Sequence, residues 1–176
     1  MATSTEFKHG LRLQLSDIES NSLQFDRSVL QLDEVMKELA DRVRPNLKPG
    51  VTLDIEGEGG TAVADVKYMT LVTMHCLENA VKYTDKGHIT LAYRPERNGL
   101  RIEVRDTGVG IPEALRENLF SLLTNKHTYV QDEVPGLGLS ICKAIVDRSG
   151  GRIGVEAMPE GGTMLWHWVP VKVTNQ

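Results

Sequence analysis

His75-Cys-Leu-Glu-Asn-Ala-Val-Lys-Tyr83 closes a stretch, Asp65 to Thr84, that is apolar on almost every side and broken by one polar stripe of His75, Asn79 and Lys82. Its length and apolar surround predict a helix buried on several sides. Asn79 stands where such a helix would ordinarily carry another core residue. Asn79, Lys82 and Tyr83 share one helical face, because residues three and four apart are neighbours. The Asn79 amide oxygen can supply one ligand to a hard cation such as Mg²⁺, with Lys82 adding positive charge and Tyr83 an aromatic wall. The plainer alternative is a hydrogen-bonded core amide beside a lysine whose stem lies along apolar surface.

Two later segments are spaced to converge on that face: Asp106-Thr-Gly-Val-Gly-Ile-Pro112 and Gly136-Leu-Gly-Leu-Ser140. Leu100, Ile102 and Val104 alternate as the inward face of a strand, and one more step places Asp106 on that face, where a carboxylate is costly unless something donates to it. An ionised carboxylate only accepts hydrogen bonds, so the exocyclic amino group of a purine suits it, and Gly108 and Gly110 let backbone approach a base closely. An aspartate opening a turn before glycine is the other reading of the same residues. Gly136, Leu137, Gly138 and Leu139 lead directly into a helix, whose free N–H groups and positive dipole end favour phosphate. Lys126 and His127 can reach a terminal phosphate if their loop closes, or can be solvated loop charges. Neither a Gly-x-x-x-x-Gly-Lys-Ser/Thr loop nor a Gly-x-Gly-x-x-Gly turn occurs, so the commonest nucleotide-binding signatures are missing.

Around these motifs the chain has 176 residues, 40% of them hydrophobic, and a net charge of −4. That length supports one core. The acidic balance gives no basic footprint for nucleic acid. Cys76 and Cys142 are far apart in helical segments and read as reduced core thiols, and His9, His75, His88, His127 and His167 show no metal-ligand spacing. No apolar run approaches the roughly 18 residues that span a bilayer. Met1 to Phe7 looks like an expression leader. Leu11, Leu15 and Ile18 have helical spacing, and Val29 to Val43 has helical periodicity that stops at Pro45. Val51, Leu53 and Ile55 alternate as a strand. Ile89 to Tyr93 and Leu100 to Val104 form an antiparallel hairpin about Asn98-Gly99. A helix is predicted from Pro112 to about Leu123, a functional loop over Thr124 to Pro135, a helix over Leu139 to Val146 ended by Gly150-Gly151, and strands over Arg152 to Glu156 and Thr163 to Val169. Antiparallel strands with helices collected on one face make an α+β domain.

In this order, the segments resemble the ATP-binding catalytic domain of bacterial sensor histidine kinases, within the GHKL superfamily of ATPases and kinases. The likeness runs from about Phe25 to Val171: His75 to Thr84 looks like the N box, Asp106 to Ile111 the G1 box, Leu119 to Leu123 the F box, Gly136 to Leu139 the G2 box, and Gly161-Gly162-Thr163 the last glycine box. The resemblance implies a Bergerat-type two-layer sandwich, with a mixed, mostly antiparallel sheet of about five strands covered on one face by about three helices. It also implies that Asn79 binds Mg²⁺, that Lys82 and Tyr83 contact ATP, and that Asp106 reads the adenine amino group. Gly108, Gly110, Ile111, Gly136, Leu137, Gly138, Leu139 and Thr163 would complete the ATP site. Thr124 to Pro135 would be the ATP lid, with Lys126 as its cation facing the γ-phosphate, so that Asn79, Lys82 and Lys126 serve the transfer.

Two positions depart from the family pattern: His75 replaces an asparagine, and Leu123 replaces an aromatic. In gyrase-like relatives the position of His75 holds a glutamate that activates water, so His75 either alters hydrolysis or is a tolerated substitution with no catalytic duty. His9-Gly-Leu-Arg12 lacks the acidic neighbour and the helical hairpin of a phosphoacceptor histidine. Residues 1–22 are therefore read as a leader plus the end of the helical dimerisation hairpin and linker, and 23–176 as the catalytic domain. The expected function is transfer of the γ-phosphoryl group of Mg-ATP to a histidine on a separate dimerisation domain, with a response regulator receiver domain downstream. The fragment is expected to be monomeric and cytoplasmic, without direct membrane contact, and to come from a parent that can be an inner-membrane sensor. A GHKL ATPase-type conformational module and a degenerate nucleotide-binding module are the alternatives.

Overall fold

The computed structural model describes residues 26–57, 60–109 and 137–174, excepting the side chains of residues 137 and 138. The expected leader, the helix near Leu11 to Ile18, the helix from Pro112, the loop Thr124 to Pro135, and the site residues Gly110, Ile111, Lys126 and Gly136 lie outside the described residues. The elements in order are β1 (Ser28–Gln31), α1 (Leu32–Val43), a 3₁₀ turn (Arg44–Asn46), β2 (Thr52–Gly57), β3 (Thr61–Ala64), α2 (Val66–Tyr83), β4 (His88–Glu96), β5 (Gly99–Asp106), α3 (Leu137–Arg148), β6 (Arg152–Ala157), β7 (Thr163–Val169) and β8 (Lys172–Thr174).

A five-stranded sheet runs β2-β4-β5-β7-β6, with β2 parallel to β4 and every other pair antiparallel. The α+β expectation holds, with a mixed sheet and, among the described residues, three α-helices. Cross-strand register builds the inner face in rows: Leu91, Val104, Leu165 and Val155 form one, and Tyr93, Ile102, His167 and Ile153 the next. Leu91, Tyr93, Ile102, Val104, Val155 and Leu165 of these rows pack with Met36 and Leu39 of α1 and Leu77 and Ala80 of α2 in the main core, while α3 packs on the first half of α2 through Ile141, Cys142, Ile145 and Val146, joined by Ile153. The row beyond Leu91 contains Ile89, Asp106 and Thr163, so Asp106 does continue the inner face.

Three local expectations change. Val29 to Gln31 is strand, pairing with β3, and the helix starts at Leu32; Leu30 enters the core while Val29 is 68% exposed. A second sheet, β1-β3-β8, was not anticipated, since β3 and β8 have four and three residues and too little alternation to read. The hairpin loop is Arg97-Asn98, not Asn98-Gly99, because Glu96 pairs with Gly99. Both loop residues have positive φ, 48° and 61°, as a type I′ turn requires. Gly99 is needed for another reason: a Cβ there would lie 2.3 Å from the Val169 carbonyl oxygen.

Burial pushes the His75 imidazole down to about 3 and that of His167 down to about 4. Both folded values lie below the free value of about 6.5. Below that pH the unfolded chain takes up protons that the folded chain refuses, so stability present at neutral pH is lost as pH falls toward the folded values. Urea unfolding should show a loss of up to about 1.4 kcal/mol per pH unit for each ring below pH 6.5. His167→Phe should remove its share of that slope. A midpoint unchanged between neutral and mildly acid pH would contradict two buried neutral rings.

Candidate functional site

Helix α2 is fixed at both ends. Asp65 caps its start: Oδ1 accepts the Tyr68 N–H at 3.0 Å, and Oδ2 accepts the Asp26 N–H at 2.6 Å. At its end, Lys48 Nζ donates to the Lys82 carbonyl at 2.9 Å and pairs with Asp85, a cation on helix carbonyls that would otherwise lack partners. The Val109 N–H donates to the Tyr83 carbonyl at 3.3 Å, and a Cβ on Gly108 would lie 2.2 Å from the same oxygen. Only glycine at 108 allows this approach, which brings the segment after β5 onto the last turn of α2. Asn79 and Tyr83 are half-buried there, and Lys82 is exposed with Nζ 5.5 Å from the Tyr83 ring centroid.

Asp106 is buried at 6% exposure. Its Oδ1 accepts two main-chain N–H groups, Gly108 at 2.9 Å and Thr163 at 3.2 Å. Burial raises its pKa above the ordinary carboxylate value, while those two backbone donors oppose the rise. Among the described residues nothing donates to Oδ2, which leaves an acceptor on a buried acid. Gly162, with φ of 96°, passes so close that a Cβ would sit 1.9 Å from the Asp106 carbonyl oxygen. Thr107 closes the other side: its N–H donates to the His88 carbonyl at 3.2 Å, and its Oγ1 accepts the His88 N–H at 3.0 Å.

Helix α3 runs antiparallel to α2. Ile141 to Val146 pack on Tyr68, Leu71 and Val72, whereas Leu139 joins the cluster containing Leu77 and Ala80. Burial, helped by the neighbouring Cys76, pushes the Cys142 thiol well above its usual range, as expected for two inert core thiols side by side. The first turn of α3, Leu137 to Leu139, therefore lies beside the last turns of α2. The fold thus gathers Asn79, Lys82, Tyr83, Asp106, Gly108, Leu137, Gly138, Leu139 and Thr163 at one end of the α2–α3 pair. Sequence reasoning missed Lys48, whose partners lie 34 and 37 positions away. It also passed over Thr107, although the Asp-Thr-Gly order held the signal.

Residues 64–173 match the family of histidine kinase-, DNA gyrase B- and HSP90-like ATPases. This chain belongs to that family. Within it, the chain is 33% identical to the sensor histidine kinase AruS of Pseudomonas aeruginosa over 99% of its own length and 18% of AruS, and 33% identical to the sensor histidine kinase RcsC of Escherichia coli over 90% of its length and 17% of RcsC. It therefore spans less than a fifth of these curated relatives. The catalytic domain of histidine kinase ThkA, in a nucleotide-free form, superposes with TM-score 0.64 at 25% identity, covering 83% of this chain and 97% of that one. Full-length ShkA in complex with AMPPNP shares the fold with TM-score 0.79 at 21% identity over 95% of this chain and 36% of that one. The chain is thus a domain of this ATPase family, and the relatives named here are sensor histidine kinases.

A Gly162→Ala change in this ATPase-family domain forces an L-residue to positive φ and drives a methyl into backbone. It should cost at least about 2 kcal/mol, a fall of roughly 4–8 °C in Tm for a domain of this size. Gly161→Ala is the control: φ there is 104° but a Cβ would meet nothing within 4 Å, so only the backbone strain remains. Equal losses for the two would mean that the contact with Asp106 is unimportant.

Proposed function

We propose that this domain holds the adenine of Mg-ATP through Asp106 and presents the γ-phosphoryl group to a histidine on a separate helical dimerisation domain. The observation that carries the reading is the division of labour on Asp106: Oδ1 is engaged by the fold, and Oδ2 is left to accept an exocyclic amino group. The residues also fit the triphosphate end. Asn79 offers a neutral amide oxygen on the turn beside the α3 N-terminus, Lys82 offers a mobile cation, and the Leu137 to Leu139 turn supplies main-chain N–H groups suited to phosphate. Gly110, Ile111, Lys126 and Gly136 complete the proposed site by sequence, with Lys126 as lid cation. Asn79 would hold Mg²⁺, whose chemistry when bound would be to offset the charge of the phosphates. The protein's own task is positioning and charge stabilisation, since phosphoryl transfer through a loose transition state asks little covalent chemistry of it.

Burial holds His75 at a pKa of about 3, too weak a base to activate water at neutral pH, which favours the reading in which it has no catalytic duty. We further propose that residues 23–176 form the catalytic domain and act in the cytoplasm as a monomer. The acceptor helix pair and a receiver domain would be its partners, and the parent a sensor at the inner membrane. Support comes from the sensor kinase relatives, which are more than five times longer than this chain. Among the described residues no helix is long and apolar enough to cross a membrane.

Asp106→Asn tests base recognition while keeping the scaffold, because the amide retains an acceptor for the Gly108 and Thr163 N–H groups and turns an NH₂ toward the base. ATP affinity by calorimetry should fall about ten- to a hundredfold with little change in Tm. In the unsubstituted protein, affinity should also fall in acid, as protonation removes the acceptor; undiminished binding by Asp106→Asn would refute the adenine assignment. Asn79→Ala should flatten the Mg²⁺ dependence of ATP binding. For the reaction itself, γ-labelled ATP should leave little acid-labile label on this chain alone, and a supplied acceptor domain should become labelled. Steady phosphate release without acceptor would favour an ATPase module instead.

A further inference from the structure

Thr84 leaves α2 in an extended conformation, with φ −108° and ψ 104°, and Asp85 is not left-handed either. The helix therefore lacks the positive-φ residue that commonly closes a C-terminus through main-chain N–H groups. Contacts from distant segments stand in its place. The Val109 N–H meets the Tyr83 carbonyl, and Lys48 Nζ meets the Lys82 carbonyl at 2.9 Å. Lys48 is itself held on both sides along the chain. Leu47 packs against the main core, and the Val51 N–H donates to the Lys48 carbonyl at 3.0 Å across Pro49 and Gly50. Proline at the first central position and Gly50 with φ of 86° at the second suit a type II turn, which fixes the chain where it leaves Lys48.

The same ammonium pairs with the carboxylate of Asp85, three residues after Lys82. One donor touching both groups places that carboxylate beside the Lys82 main chain, within reach of the long Lys82 side chain. Lys82 is exposed and, among the described residues, pairs with no carboxylate: its Nζ lies 5.5 Å from the Tyr83 ring centroid. Glu78, four positions earlier, is engaged elsewhere. An exposed lysine gains a little by pairing with a carboxylate so near. Lys48 takes up that carboxylate from the other side and leaves the Lys82 ammonium unpaired.

We propose that Lys48 is a positioning residue for the phosphate end of the site: it holds the last turn of α2 by the Lys82 carbonyl and occupies Asp85, so that the Lys82 side chain is left to meet a phosphate oxygen. The inference rests on the nucleotide reading above and adds to it a residue that acts through Lys82 and Asp85.

The test measures the affinity of the full 176-residue chain for Mg-ATP by calorimetry and for adenosine by ¹⁵N NMR titration. Lys48→Met should weaken Mg-ATP binding about fivefold, because Asp85 then turns to Lys82 and phosphate must displace it. Adenosine binding should not change, since Asp106 is untouched and adenosine carries no phosphate. Adding Asp85→Asn to Lys48→Met should bring Mg-ATP affinity back to within about twofold of the unsubstituted chain, whereas Asp85→Asn alone should change it by less than about twofold. A cap that merely stabilised the helix would show no such non-additivity. Mg-ATP affinity unchanged in Lys48→Met, an equal fall in adenosine affinity, or the same gain from Asp85→Asn with and without Lys48 would each overturn the proposal. Any of these leaves the adenine reading standing, which Asp106→Asn tests; if the unsubstituted chain takes up no Mg-ATP, both fall.

Discussion

One carboxylate oxygen, Oδ1 of Asp106, accepts main-chain N–H groups from both sides of the site, and the geometry of the proposed base-reading end depends on it. Gly108 continues from β5 and Thr163 begins β7, so a single atom fixes the exit of one strand against the entry of its neighbour. A carboxylate taken from water needs such donors. The raised pKa of Asp106 shows that two backbone donors do not fully offset its burial. The residual acceptor capacity on Oδ2 is therefore a cost to the fold and, on the proposed reading, a source of ligand affinity.

The second constraint is the end of α2. A helix of 18 residues that is buried on several sides offers few exposed positions, Val66 and Lys67 in its first turn and Lys82 in its last, where half-buried Glu78 and Asn79 stand beside it. Its last carbonyls are met by Lys48 and by the Val109 N–H, so the helix stops where Asn79, Lys82 and Tyr83 face the strand that ends in Asp106. Because α3 returns antiparallel, its N-terminal turn supplies the positive end of a helix dipole to the same corner. Acceptor, amide, cation and free N–H groups converge because three element ends converge.

How much of this is legible in the sequence depends on how locally each feature is encoded. The limits of α2 are readable because Asp65 is a capping residue and the apolar surround stops at Thr84. The inward direction of Asp106 follows from a period of two carried through Leu100, Ile102 and Val104. The short strands are not readable: Ser28 to Gln31 merges with the helical spacing that follows, and its pairing with Thr61 to Ala64 is set across thirty residues or more. Gly99 misleads for a related reason. It sits where a turn glycine is expected, but its smallness serves Val169 and Trp168, some seventy positions later. The contacts of Lys48 are likewise products of tertiary placement.

The outer face of the large sheet shows why the inner one can be exacting. Glu103 is buried there among Arg94 at 3.1 Å, Arg101 at 2.6 Å and Arg105 at 3.8 Å. Burial alone would raise its pKa, but the Arg101 hydrogen bond and the charges of all three guanidinium groups outweigh that and hold it low. Arg101 also stacks 4.5 Å over Trp166, whose ring lies where a Cβ on Gly154 would be. These contacts link β4, β5, β7 and β6 by side chains as well as by backbone. A sheet tied on both faces resists shear between β5 and β7, the displacement that would separate Gly108 from Thr163 and pull apart the two donors of Asp106. The proposed adenine end is thus built on strands and pre-positioned, while the proposed phosphate end relies on side chains and the ends of helices. That asymmetry would suit the proposed phosphoryl transfer, with recognition energy drawn from the fixed end and the reacting end left free to meet an acceptor on another domain.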